Sequence, residues 1–180
     1  MDHDNNRHLT ETQSDDAALV YDKSGSTPKL GTASTAEPEA DKEDFEPCTF
    51  FFYGTLMDPE TLMAVANLDD TPQLQDAWID GFTMKMWSGI YPVVLPSDET
   101  EPQSRIHGKM WQATTVSQCL QLQQYETSAY EPADCQIQCG DGKSVNGLVF
   151  MWANDPESDE LAEGRFDLEA WQNRQERSLY

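Results

Sequence analysis

Basic residues are scarce in this 180-residue chain, because 11 Lys and Arg stand against 33 Asp and Glu and give a formal net charge of −22. Proteins that bind nucleic acids neutralise phosphates with clustered basic side chains. Anionic membrane surfaces attract the same kind of cluster. We therefore expect neither nucleic acid nor a membrane as a partner, and the acidity predicts solubility rather than a fold.

Long apolar runs are also missing. No stretch reaches the roughly 18 consecutive apolar residues that a transmembrane helix needs. The first residues, MDHDNNRHLTETQ, lack the apolar segment of a secretory signal. We therefore expect a cytoplasmic protein.

Histidine is rare, and the common catalytic motifs are absent. His3 and His8 lie near the N-terminus, and His107 lies on a predicted strand, where a single histidine is typical of a surface or packing position. The sequence contains no G-x-S-x-G elbow, no Walker A motif and no dinucleotide-binding glycine pattern. An enzyme built from this chain would depend on carboxylates and backbone amides.

Four cysteines occur, at Cys48, Cys119, Cys135 and Cys139. Their spacing is not typical of a zinc site, and no histidine lies nearby to complete one. We expect reduced thiols that pack as small hydrophobic side chains. A disulfide or a metal site is the alternative.

The first 46 residues differ from the rest of the chain. They carry 12 acidic and 4 basic residues, and their only aromatic residues are Tyr21 and Phe45. Such a segment cannot bury enough apolar surface to offset the entropy lost on folding. We predict a disordered acidic tail over residues 1–46, either dispensable or regulatory, and one domain over residues 47–180.

Short strands outnumber helices in the predicted domain. Strands are predicted over 48–53, within 73–87 with a break at Gly81, and over 105–111, 133–139 and 145–152, and residues 90–96 are predicted to be an extended segment held by prolines. Helices are predicted after Asp58, which suits the N-cap, after Thr114 or Thr115, and over 167–174, while 97–104 is predicted to be a surface loop. This order, without regular βα alternation, predicts an α+β domain built on a small mixed sheet or barrel. The mouth of such a barrel can hold one small ligand.

The most apolar predicted strand ends in an unusual loop. The run FFYGTL, residues 51–56, passes from three aromatic residues to Gly54. Glycine lets a backbone approach a ligand closely, and successive N–H groups can form an anion-binding nest. The alternative interpretation is a tight turn that only closes the core.

One glutamate stands out by its position. Leu122 and Glu126 are four residues apart, so they share a helix face if the predicted helix reaches that far. Leu122 should face the core, and Glu126 would then point inward, where burial raises the pKa of a carboxyl group. Most glutamates, however, are simply solvated.

Several stretches in order resemble the γ-glutamylcyclotransferase-like superfamily. They are Phe52-Tyr53-Gly54-Thr55-Leu56, Gly108-Lys109-Met110-Trp111, Leu122-x-x-Tyr125-Glu126-x-x-x-Tyr130 and Val149-Phe150-Met151-Trp152. The segment from Gly164 to Trp171 is similar to the AIG2-like branch, named after a plant avirulence-induced protein. The resemblance covers about residues 48–172 and implies the fold of that superfamily, a small β-barrel domain with flanking helices.

The resemblance also implies roles for individual residues. In the family, the loop binds the glutamyl end of the substrate through backbone amides; here its residues are Tyr53, Gly54, Thr55 and Leu56. The catalytic glutamate of the family falls on Glu126, and Tyr130 would line the same pocket.

The implied reaction is cyclisation of a γ-glutamyl amide or amine to 5-oxoproline with release of the amine, an acyl transfer. It requires no metal and no organic cofactor, and its partner is a small γ-glutamyl molecule. Two alternatives are hydrolysis of the same amide and a non-catalytic binding or regulatory module with the same fold. Retention of both the loop and the glutamate argues against the binding module.

Overall fold

A computed structural model describes residues 45–97 and 105–178. Most of the predicted tail over 1–46 and of the predicted loop over 97–104 lies outside these described residues. The strands are β1 (Cys48–Phe52), β2 (Gln75–Ile79), β3 (Phe82–Trp87), β4 (Tyr91–Pro96), β5 (Ile106–Ala113), β6 (Tyr130–Cys139), β7 (Ser144–Trp152) and β8 (Leu161–Glu163). The helices are α1 (Pro59–Val65), α2 (Val116–Glu126) and α3 (Leu168–Ser178). None of these described helices has the length and apolar character that crossing a membrane requires.

Five strands close into a barrel in the order β1-β5-β2-β6-β7. Neighbouring strands run antiparallel, except that β7 closes the barrel beside β1 in parallel, with Phe50 opposite Leu148 and Phe51 opposite Val149. The prediction of an α+β domain with a small barrel and a few flanking helices is therefore confirmed.

Strand β1 is apolar on both faces because both faces are covered. Phe51 is fully buried in the core that the five barrel strands enclose. Phe50 and Phe52 point the opposite way, with ring centroids 6.3 Å apart, into a second core formed with Leu62 of α1 and Leu122 of α2. The alternation of a strand places successive side chains in these two cores.

A separate three-stranded sheet, β4-β3-β8, packs against the barrel. Its third strand was not predicted, and it pairs with β3 through Leu161 opposite Trp87. Val93 and Leu95 of β4 form a third core with Trp152 at the end of β7. This contact holds the start of β4 near the end of the barrel.

The helix boundaries follow local signals. The Asp58 carboxylate accepts a hydrogen bond from the Thr61 N–H at 2.8 Å. Asp58 is therefore the N-cap of α1, which begins at the next residue, Pro59. The Thr115 hydroxyl caps α2 by accepting from the Gln118 N–H at 3.2 Å. Both predicted caps are confirmed, and α2 continues to Glu126, as the spacing from Leu122 required.

Candidate active site

A cavity of about 490 Å³ opens where the loop after β1, the end of α2, the start of β4 and helix α3 converge. This volume is in the range of small-molecule sites. Its walls are formed by Phe51, Phe52, Tyr53, Gly54, Thr55, Leu56, Trp87, Tyr91, Pro92, Tyr125, Glu126, Thr127, Tyr130, Phe150, Trp171 and Gln175. All six residues to which the sequence analysis gave a role therefore lie around one cavity.

The loop after β1 is a single 3-10 turn over Thr55–Met57. The turn is closed by two hydrogen bonds, in which the Met57 and Asp58 N–H groups donate to the Gly54 and Thr55 carbonyls at 3.0 and 3.1 Å. The N–H groups of Gly54, Thr55 and Leu56 donate no hydrogen bond to any of the described residues. Unpaired donors at the start of a turn are available to a ligand.

The loop is fixed in place from both sides. The buried Tyr53 hydroxyl donates to the Phe150 carbonyl at 2.5 Å. A Cβ added at Gly54 would lie 3.0 Å from Cγ of Pro92, so a glycine lets the loop lie directly against the start of β4. The Tyr130 hydroxyl donates to the Pro92 carbonyl at 3.1 Å and ties β6 to the same wall.

Glu126 is the acidic group of this cavity. It is the last residue of α2, and its side chain is partly buried. Within residues 45–97 and 105–178, no hydrogen bond or ion pair reaches its carboxylate. Burial raises the pKa of Glu126 from 4.5 to about 7. Near neutral pH the group is therefore present in both protonation states and can accept and donate a proton.

Three tyrosines surround this carboxyl group. Burial, and secondarily the negative charge of Glu126, raises the pKa of Tyr53 and of Tyr130. Burial also raises the pKa of Tyr125, against a hydrogen bond with Thr55 that lowers it. All three hydroxyls thus remain protonated and neutral at physiological pH. Of the described residues that line the cavity, none is Lys, Arg or His.

The backbone turns sharply directly after Glu126. Thr127 has φ of 63° and ψ of −171°, a combination that β-branched residues rarely adopt. Its N–H donates to the Gln123 carbonyl. This turn ends α2 at Glu126, and a short 3-10 turn over Thr127–Ala129 then leads to β6. The carboxyl group therefore lies at the helix end beside the cavity.

Some lining residues were not predicted. The Tyr125 hydroxyl and Thr55 Oγ1 are hydrogen-bonded at 2.8 Å, which joins the end of α2 to the loop. Trp171 and Gln175 of α3 also line the cavity. Their spacing of four residues could have indicated a shared helix face, but no sequence pattern indicates what that face covers.

A second cavity of about 500 Å³ lies beside Arg105, His107 and Arg165. Arg105 already pairs with Asp80, at 3.4 Å, and lies over the Trp78 ring. None of the residues with a predicted role lines this cavity. The first cavity, which joins an acid of raised pKa to unpaired amides, is therefore the candidate active site.

A family profile and several solved structures are similar to this chain. The profile of the family described as gamma-glutamyl cyclotransferase, AIG2-like, matches residues 50–173. Two Arabidopsis thaliana proteins with solution structures are similar: one at 18% identity and TM-score 0.58 over 76% of this chain and 79% of its own, the other at 23% and 0.54 over 77% and 89%. An AIG2-like protein of Mus musculus is 17% identical, with TM-score 0.52, over 68% of this chain and 90% of its own. A search of curated proteins found no match.

Proposed function

The chain belongs to the gamma-glutamyl cyclotransferase, AIG2-like family, and from that premise we propose that it converts a γ-glutamyl amide or amine into 5-oxoproline and the free amine. The observation that carries the proposal is a carboxyl group with a pKa near neutrality in one cavity with three unpaired backbone amides. A proton-transfer group and an oxyanion site are the two elements that acyl transfer requires.

The substrate contains its own nucleophile. A γ-glutamyl group carries a free α-amine, and this nitrogen can attack the γ-carbonyl carbon to close a five-membered lactam. The amide C–N bond then breaks, and the second amine leaves. Holding the substrate in the reactive conformation lowers the barrier by about 7–11 kcal/mol when the fit is good.

Glu126 is the proposed general acid and base. Its carboxylate takes a proton from the substrate α-ammonium, which frees the nitrogen lone pair for attack. That proton then passes to the leaving nitrogen as the C–N bond breaks. The ring nitrogen gives up the second proton that it carries after attack through the same carboxylate, and the released amine takes this proton up as an ammonium ion, so the carboxylate is regenerated. A pKa of about 7 suits both transfers, because neither protonation state is strongly favoured.

The loop amides are the proposed anion site. The unpaired N–H groups of Gly54, Thr55 and Leu56 would bind the substrate carboxylate or the oxyanion that forms at the γ-carbonyl. Tyr53 supports the loop from the core, and Tyr130 lines the wall beside Glu126. Every step uses protein groups and the substrate.

Product analysis tests this proposal. The full chain is incubated with a γ-glutamyl dipeptide, a γ-glutamyl alkylamide and a γ-glutamylanilide, and products are identified by mass spectrometry. We expect 5-oxoproline and the free amine from at least one compound. Free glutamate would indicate hydrolysis instead, and no product from any compound would favour a binding module.

A blocked substrate is the matched control. Acetylation of the α-nitrogen removes the internal nucleophile but leaves the γ-amide unchanged. Cyclisation must then stop, whereas hydrolysis by water would continue. Release of amine from the acetylated compound at the original rate would contradict the proposed reaction.

A further inference from the structure

Helix α3 carries polar residues on the face that packs against the domain. Leu168, Trp171 and Gln172 are partly buried, and Gln175 continues the same stripe at a spacing of three or four residues. The opposite face is exposed, with Glu169, Ala170, Asn173 and Arg174. Packing alone favours apolar residues along a buried stripe, so the partly buried Gln172 requires another explanation, whereas Gln175 lies at the exposed end of the stripe.

Gln172 fastens the helix to the loop region. Its Nε2 donates to Asp58 Oδ1 at 2.7 Å, while the other carboxylate oxygen accepts from the Thr61 N–H and hydroxyl, both at 2.8 Å. Burial acts to raise the pKa of Asp58, but these hydrogen bonds outweigh it and lower the pKa. Asp58 is thus ionised, and the bond from Gln172 is a charge-assisted one.

Trp171 and Gln175 belong to the outer part of the cavity. The floor consists of side chains with 0–3% exposure, among them Phe51, Phe52 and Phe150. Tyr91, by contrast, is 50% exposed, and Trp171 and Gln175 are accessible from outside as well. The amide of Gln175 has no partner among the described residues. It is therefore free to bond to a group of the ligand.

From this arrangement we infer that α3 selects the leaving amine: Trp171 and Gln175 contact it, and Gln172 is a positioning residue that holds the helix over the cavity. The inference rests on the proposed function, which assigns the glutamyl end to the amides of residues 54–56 and to Glu126. The rest of the substrate must then extend toward the rim, where the indole offers an apolar surface and the amide a hydrogen bond. A bulky amine reaches α3, whereas methylamine does not.

Two substrates and three variants test the contact. Values of kcat and KM for γ-glutamylanilide and γ-glutamylmethylamide are measured for the full chain and for Trp171→Ala, Gln175→Ala and Asn173→Ala. We expect Trp171→Ala to raise the KM for the anilide about tenfold and to leave the methylamide within about twofold. Asn173→Ala, on the exposed face of the same helix, is the matched control and should change neither. An equal loss with both substrates would overturn the inference.

Gln172→Glu tests the positioning role. The variant keeps the shape of the side chain but places a second carboxylate against Asp58, so the two charges repel. We expect faster amide hydrogen exchange over residues 168–175 and the same selective loss with the anilide. Unchanged exchange, or unchanged selectivity with faster exchange, would contradict this role.

Binding separates this inference from the proposed reaction. Absence of 5-oxoproline from every compound refutes the reaction, and affinity for γ-glutamylanilide is then measured by calorimetry with the same variants. Weaker binding by Trp171→Ala, but not by Asn173→Ala, supports contact with α3. Equal affinity of the two variants for γ-glutamylanilide refutes this contact. Failure of the unmodified chain and of both variants to bind the compound refutes it as well.

Discussion

Glu126 shows how one position changes the chemistry of a common residue. Its spacing from Leu122 predicted that it faces inward if the helix reached that far, and the family resemblance singled it out among the glutamates. The value of its pKa was not predictable, because it depends on burial in a cavity whose other walls, such as the loop after β1 and the start of β4, come from distant parts of the chain. Burial without an opposite charge is what raises the pKa of this carboxyl group to about 7.

The raised pKa makes stability depend on pH in a defined direction. The folded state binds the proton of Glu126 more tightly than the unfolded state, whose pKa is near 4.5. The resulting stabilisation is complete below pH 4.5 and is lost as the pH rises through 7. Glu126→Gln cannot ionise. We therefore expect its free energy of unfolding, relative to that of the unmodified chain, to rise by about 1–3 kcal/mol as the pH goes from about 4.5 to about 8. Urea unfolding of both proteins at each pH measures this difference; a difference that does not vary with pH would show that Glu126 is not buried.

Gly54 is the second residue whose identity follows from its surroundings. Its φ of −126° is accessible to any residue, so space rather than backbone conformation requires a glycine. Gly54→Val would push Pro92 and the loop apart within the cavity wall. We expect ligand affinity to fall about tenfold, while the Tm falls by only about 2–4 °C. Loss of Tm with unchanged affinity in the folded fraction would support a turn that only closes the core.

At the level of elements, local signals predicted the helices and most strands well. Asp58 and Thr115 cap helices through short-range hydrogen bonds that a sequence displays directly. Strand β8 was missed because Leu161–Glu163 is three residues long and is defined by its pairing with β3. The contact of α3 with the cavity was missed for a similar reason. The cavity forms only where α3 meets the loop after β1, the end of α2 and the start of β4, and these elements are far apart in the sequence.

The bond between Thr55 and Tyr125 joins two elements of the site, the loop and the end of α2. Removing either hydroxyl, by Thr55→Val or Tyr125→Phe, breaks the same hydrogen bond. We expect each variant to lower kcat about 3- to 10-fold and the double variant to lower it no further, because the bond is lost only once. Multiplicative effects in this double-mutant cycle would show that the two side chains act independently.

For the molecule as a whole, the fold class and a small barrel could be predicted, but the strand pairing that closes the barrel could not. The number of short strands and the lack of βα alternation indicated an α+β domain. The parallel pairing of β1 with β7 joins segments nearly one hundred residues apart, as in Phe50 opposite Leu148, and no local pattern encodes such a pairing. The same long-range closure brings the loop after β1 to Phe150 and thereby shapes the cavity.

The acidic segment before the domain can be tested as a unit. The three described hydrophobic cores contain no residue before Cys48. We expect deletion of residues 1–44 to leave the Tm within about 2 °C and turnover within about twofold. Thermal unfolding and 5-oxoproline assays compare the two proteins. A large loss of activity with an unchanged Tm would assign a regulatory role to the segment.

The rate of 5-oxoproline formation by Glu126→Gln tests the central claim most directly. The variant preserves the size of the side chain and removes its ability to exchange a proton, and circular dichroism verifies that it is folded. We predict that kcat falls by at least about 100-fold, while the unmodified chain shows kcat/KM declining below a pH of about 7. A folded Glu126→Gln protein that forms 5-oxoproline at the unmodified rate would contradict the account.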